Sequence, residues 1–154
     1  MNAVNADLHC HSTASDGTLA PAAVVRRAHA NGVDLLALTD HDELLGLPEA
    51  AATAAELGLR FVPGVEVSVS WLDQTVHIVG LGVDPSNAAL IAGLDQVRSG
   101  RDGRAAKIAA ELDRIGIHGA LEGALRYVGN PALISRAHFA RFLVEAGCAK
   151  NVHD

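Results

Sequence analysis

The sequence predicts an α/β fold in which parallel strands are covered on their outer side by helices. Three observations predict it. Short apolar runs alternate with Ala-rich helical segments through the first half of the chain. The connections between them are short, which makes successive strands parallel with crossover helices between them. Polar residues collect at or near strand ends, in HCHS, TDHD and VEVS. Strand C-termini gather at one rim in such folds, and in α/β barrels that rim is where chemistry is built.

The elements follow in order. ADLHCH reads as a first strand, and PAAVVRRAHANG as a helix with Pro21 in its first turn and Asn31 and Gly32 at its stop. VDLLALTDHD is a second, fully buried strand; LPEAAATAAELG is a second helix closed by Gly58. LRFVPGVEVSVS is the third strand, and TVHIVGLGV follows it after WLDQ, which reads as a hairpin loop. A turn centred on Leu72 and Asp73 sets His77 opposite Ser68, with Glu66 two residues along the same face. A slip of one residue would separate Glu66 from His77. From about Ser86 the pattern becomes helical: NAALIAGLDQVRSG, RDGRAAKIAAELDRIG and NPALISRAHFARFLVEAG read as three helices with no strand between them. The organisation expected is a first part of an α/β barrel over residues 1–98 and a helical cap or insertion over 99–154, without repeats or a low-complexity linker.

Composition narrows the function classes. The 154 residues are 49% hydrophobic and 19% charged, which suits a globular core and excludes disorder and fibre. MNAVNADLHC has neither the basic nor the apolar region of a secretory leader, and no apolar run approaches the ~20 residues that span a bilayer. A cytoplasmic location without a membrane partner is expected. The formal charge of −6 argues against general attraction to nucleic-acid backbones such as duplex DNA. An anionic substrate stays open, because bound divalent cations reverse the local sign. Cys10 and Cys148 imply no disulfide framework, and Cys10 faces away from the flanking histidines as a small hydrophobe.

The candidate chemistry begins in DLHCHSTASDG. Residues i and i+2 of a strand share a face, so His9 and His11 present two imidazoles to one point, with Asp16 five residues on. Taken alone, the stretch is equally an ordinary pair of surface histidines near a terminus. His41, Glu66 and His77 extend the set to four imidazoles and two carboxylates from separate elements. Such mixed nitrogen and oxygen donors suit zinc, manganese or iron, whereas magnesium alone wants mostly oxygen. Each residue also has a plain structural role: Asp16 before Gly17 as a turn residue, Glu66 in an ion pair, His41 as a cap, His77 in a core. Gathered at one rim they would be costly to bury without a partner.

DLHCHSTASDG, LLALTDHD, VPGVEVSV and VHIVGLGVD resemble, in order and spacing, the opening motifs of the PHP (polymerase and histidinol phosphatase) family of metal-dependent phosphoesterases. NPALISRAHFARFLVEAG resembles the cap of the subgroup described as nucleoside 3′,5′-bisphosphate phosphatases and 5′→3′ oligoribonucleases. The resemblance implies a distorted (β/α)7 barrel with two or three divalent ions, manganese first and iron, zinc or magnesium as alternatives. It also implies that the chain is the N-terminal, truncated part of such a barrel. Family members continue to an AHP histidine and a late DxH pair, whereas this chain closes on KNVHD, whose His153 lacks strand context.

The resemblance further implies that His9, His11 and Glu66 hold one metal, that Asp16 and His41 serve a second, and that Glu66 bridges to a third bound by His77. Asp7, Asp40 and Asp42 would orient imidazoles from behind. Arg136 and His138 would clamp substrate phosphate, although they do not share a helix face. No catalytic residue beyond the metal ligands is implied. The implied reaction is hydrolysis of a nucleoside 3′,5′-bisphosphate to the 5′-monophosphate and phosphate by metal-activated water. The alternatives are 5′→3′ exonucleolytic trimming of short RNA and a non-catalytic metal-binding fragment.

Overall fold

The computed structural model describes residues 3–72, 74–99, 101–128 and 131–152. Four strands form one sheet in sequential order: β1 (Ala6–Cys10), β2 (Leu35–Leu38), β3 (Arg60–Trp71) and β4 (Gln74–Leu81). β1 pairs with β2 and β2 with β3 in parallel, through partners such as Ala6 with Leu35 and Leu35 with Arg60. Helices α1 (Pro21–Ala30) and α2 (Leu47–Leu57) make the crossovers that parallel pairing requires. Proline is tolerated at the start of α1 because an N–H there has no intrahelical partner to lose. α2 stops at Gly58, whose left-handed φ of 67° lets its N–H reach back to the Ala54 and Ala55 carbonyls.

Apolar spacing explains the packing. Pro21, Val25 and Ala28 line one face of α1, and Leu47, Ala50 and Ala54 line one face of α2. Both faces close over Leu36 and Leu38 of β2, which are fully buried. Each such leucine stabilises the fold by an amount that truncation to alanine reveals as about 2–5 kcal/mol. β3 continues through a hairpin into β4, antiparallel from Gly64 opposite Leu81 to Trp71 opposite Gln74. Ser68 faces His77, the register expected from a turn at Leu72 and Asp73; Asp73 itself lies outside the described residues. β4 is an edge strand, and its Val76, Ile78, Val79 and Leu81 are exposed.

Beyond the sheet come α3 (Ala88–Ser99), α4 (Arg101–Arg114), α5 (Ala120–Leu125), a 3-10 turn at Pro131–Leu133 and α6 (Arg136–Glu145). The chain divides into two compact units, Met1–Val97 and Arg98–Asp154. The second has its own core of Ala105, Ala120, Ala124, Ile134 and Phe139. Two elements correct the sequence reading. NPALISRAHFARFLVEAG is a 3-10 turn followed by a helix, because extended Ser135 (φ −136°) caps α6 and its N–H donates to His138 Nδ1 at 3.0 Å. α5, only six residues of ALEGAL, was not anticipated; it packs Gly123 against Phe142, where a Cβ would fall 2.2 Å from the ring. Among the described residues no helix is long and apolar enough to cross a membrane.

Candidate metal centre

The proposed donors come from five places along the chain. β1 carries His9 and leads directly into His11; the turn that follows carries Asp16; the segment after β2 carries His41; β3 carries Glu66 and β4 carries His77. The turn after β1 doubles back tightly, with the Ser15 and Gly17 N–H groups both donating to the Ser12 carbonyl. Gly17 then passes so close that a Cβ would sit 2.4 Å from the His11 carbonyl oxygen, so only glycine fits beside Asp16. Beyond Leu38 the β2 ladder gives way to a single bridge between His41 and Glu66.

These elements converge on Glu66, a carboxylate 5% exposed. Its Oε2 lies 2.6 Å from His9 Nε2, 3.0 Å from His11 Nε2 and 3.7 Å from His41 Nδ1, and its Oε1 lies 3.5 Å from His77 Nδ1. Asp16 stands 3.6 Å from His11 Nδ1 and 3.8 Å from His41 Nε2. The four rings form a chain with centroid separations of 5.1, 4.6 and 4.8 Å from His9 through His11 and His41 to His77.

Three overlapping groups result, each with its donor atoms within 4.8 Å: His9, His11 and Glu66; His11, Asp16 and His41; His41, Glu66 and His77. The resemblance implied the first with the same three residues, the second without His11 and the third without His41.

The donor set fits divalent ions. Two ligands each about 2.1 Å from one ion stand roughly 3.0 to 3.4 Å apart, close to several of these separations. His11 Nδ1 is fully buried and finds no hydrogen-bond partner among the described residues, a cost that a bound cation would remove. Burial pushes the His41 pKa below its ordinary value; Asp16 and Glu66 oppose that shift, and His11 and His77 reinforce it. The neutral imidazole thus favoured is the form that ligates metal.

The three flanking aspartates accept hydrogen bonds from main chain and hydroxyls. Asp40, 2% exposed, accepts hydrogen bonds from the Ser12 N–H, the Ser12 hydroxyl and the Ser15 hydroxyl, each at 2.7 Å. Asp42 accepts one from the Ser68 N–H at 2.6 Å, and Asp7 a long one from the His9 N–H at 3.4 Å. Ser12 and Ser15 thus join the site's architecture. Their only signal in sequence is their place between His11 and Asp16.

In the second unit Arg136 is exposed, while His138 is fully buried and holds the N-terminus of α6. Trp71 is 70% exposed beside the hairpin turn. Cys10 is half-buried with its thiol on the Ala37 carbonyl at 3.2 Å. His153 lies outside the described residues.

Comparison with known proteins gives this geometry a family. The chain is 55% identical over 148 residues to a 3′,5′-nucleoside bisphosphate phosphatase of Chromobacterium violaceum, covering 96% of this chain and 52% of that protein. It is 43% identical to a 5′-3′ exoribonuclease of Haemophilus influenzae, covering 94% of this chain and 52% of the relative. A solved structure from Bifidobacterium adolescentis, described as a metal-dependent phosphoesterase, superposes with a TM-score of 0.86 at 32% identity, over 97% of this chain and 52% of that one. The chain spans about half the length of the curated relatives it matches. Its sheet and crossover helices correspond to part of a PHP barrel, and the PHP domain pattern matches residues 7–95. By that match, the chain belongs to the PHP domain family.

Proposed function

We propose that the chain carries the metal-binding half of a phosphoesterase that removes phosphate from a nucleoside 3′,5′-bisphosphate, leaving the 5′-monophosphate. The observation that carries this reading is the Glu66 carboxylate, buried and within 3.7 Å of nitrogens on four imidazoles from three segments. In this reading His9, His11 and Glu66 hold one ion, Asp16 and His41 a second, and Glu66 with His77 a third. Divalent ions held there would lower the pKa of water and neutralise charge on a phosphoryl group.

The chain's own residues do the rest. Glu66 offers both carboxylate oxygens and so ties two positions together. Burial favours the neutral, ligating form of His41, and the Asp16 carboxylate balances charge at the mouth of the turn. Arg136 and His138 are proposed as phosphate contacts, with the exposed guanidinium of Arg136 the more accessible of the two. Manganese is the first metal to test.

Similarity to the Haemophilus influenzae exoribonuclease favours a second reading, 5′→3′ trimming of short RNA. A phosphate-release assay on the full-length protein separates them. A nucleoside 3′,5′-bisphosphate should be turned over faster than an oligoribonucleotide, and bound manganese should disappear in a His9→Ala, His11→Ala double variant. Metal content indifferent to that double substitution would sink the reading.

A further inference from the structure

TDHD places His41 between two buried aspartates that pull in different directions. Asp40, with both carboxylate oxygens engaged, grips Ser12 and Ser15, the residues that bracket the turn from His11 to Asp16. Asp42 grips the Ser68 N–H, two residues beyond Glu66 and directly opposite His77, while its own N–H donates to the Glu66 carbonyl at 2.9 Å. Asp42 also sits at φ +53°, a left-handed conformation that Asp and Asn tolerate better than most residues. The two aspartates are 2% and 0% exposed, and their bonds, at 2.6 to 2.7 Å, are of the short charge-assisted kind.

Each grip falls on one donor group. The turn held by Asp40 presents Asp16 toward His41 Nε2, and the strand held by Asp42 presents Glu66 toward His41 Nδ1.

We propose that Asp40 and Asp42 are positioning residues that act as two separate staples. Asp40 sets the His11, Asp16 and His41 donors, and Asp42 sets the His41, Glu66 and His77 donors. The inference rests on the metal-binding reading above and adds to it the groups that preorganise the site. Metal affinity is sensitive to such support, and loss of an outer hydrogen bond costs about 10- to 100-fold. Two carboxylates are needed because the donors come from two directions, the turn after β1 and the β3–β4 hairpin.

The test uses the full-length protein with Asp40→Asn, Asp42→Asn and the milder Ser15→Ala, and a His11→Ala control. Amide hydrogen exchange on metal-free protein reads the staples without any ion. Asp40→Asn and Ser15→Ala should speed exchange at Ser12 and Gly17 and leave Ser68 as in wild type; Asp42→Asn should do the reverse. Cobalt(II) titration should then show affinity lowered by about 10-fold or more with an altered visible spectrum in both Asp→Asn variants, and a smaller loss for Ser15→Ala. Exchange that rises equally at both places, or local loosening with cobalt affinity and spectrum unchanged, overturns the staples. Wild-type protein that binds no more cobalt than His11→Ala overturns the metal reading itself, a separate outcome.

Discussion

Glu66 concentrates the energetics of the site at one residue. Four imidazoles near one buried carboxylate make it the position where a neutral substitute does most damage to ion binding. Glu66→Gln keeps the volume and loses the charge; bound metal measured by atomic absorption should fall below half of wild type, while far-ultraviolet circular dichroism should stay unchanged. His41 carries a pH signature. Its folded pKa lies below the ordinary 6.5, so the unfolded chain takes up a proton first as pH falls. The stability that neutral His41 contributes is therefore present above about pH 6.5 and is lost as pH falls through the folded value. Urea midpoints of metal-free protein should drop on that side, less steeply in His41→Gln. Cys10 is different in kind: burial, then the nearby Asp7 and Asp40 charges, push its thiol up to about 12. Iodoacetamide at pH 9 should label exposed Cys148 well before Cys10, as peptide mass mapping would reveal.

At the scale of elements, the hairpin shows what local pattern can specify. The side-chain period of two leaves Glu66, Ser68 and His77 on one face once the turn length is set, so register was legible from WLDQ and the flanking valines. The start of α6 was not legible in the same way. SRAHFAR continues a helical periodicity backwards through Pro131, and only the Ser135 and His138 cap decides that the helix begins at Arg136. α5 escaped because six residues with two alanines and a glycine carry too little periodicity to separate helix from loop. β4 has an exposed edge whose outward Val76 and Ile78 alternate with His77. Ile78→Lys, on the face opposite His77, should leave metal content measured by atomic absorption unchanged.

For the molecule as a whole, the proposed metal centre would link ion binding to folding. An ion that binds the native donors and not the unfolded chain stabilises by about 2.7 kcal/mol at a hundredfold excess over its Kd. The melting temperature should therefore rise with added manganese and fall back with a chelator, and the His9→Ala, His11→Ala variant should show neither change. The order of elements and the crossover helices were readable in one dimension, as was the set of six candidate donors that the fold brings together, because strand period, helix caps and short connections are local properties. Which atoms the buried aspartates would hold was not. A carboxylate accepts from whichever donor lies nearest, and Asp40 meets Ser12 and Ser15 only after β1 and β2 have paired in register. Local spacing nominated the candidate donors, and tertiary packing decided what surrounds them, since hydrogen bonds across 25 to 28 residues exist only once the chain has closed on itself.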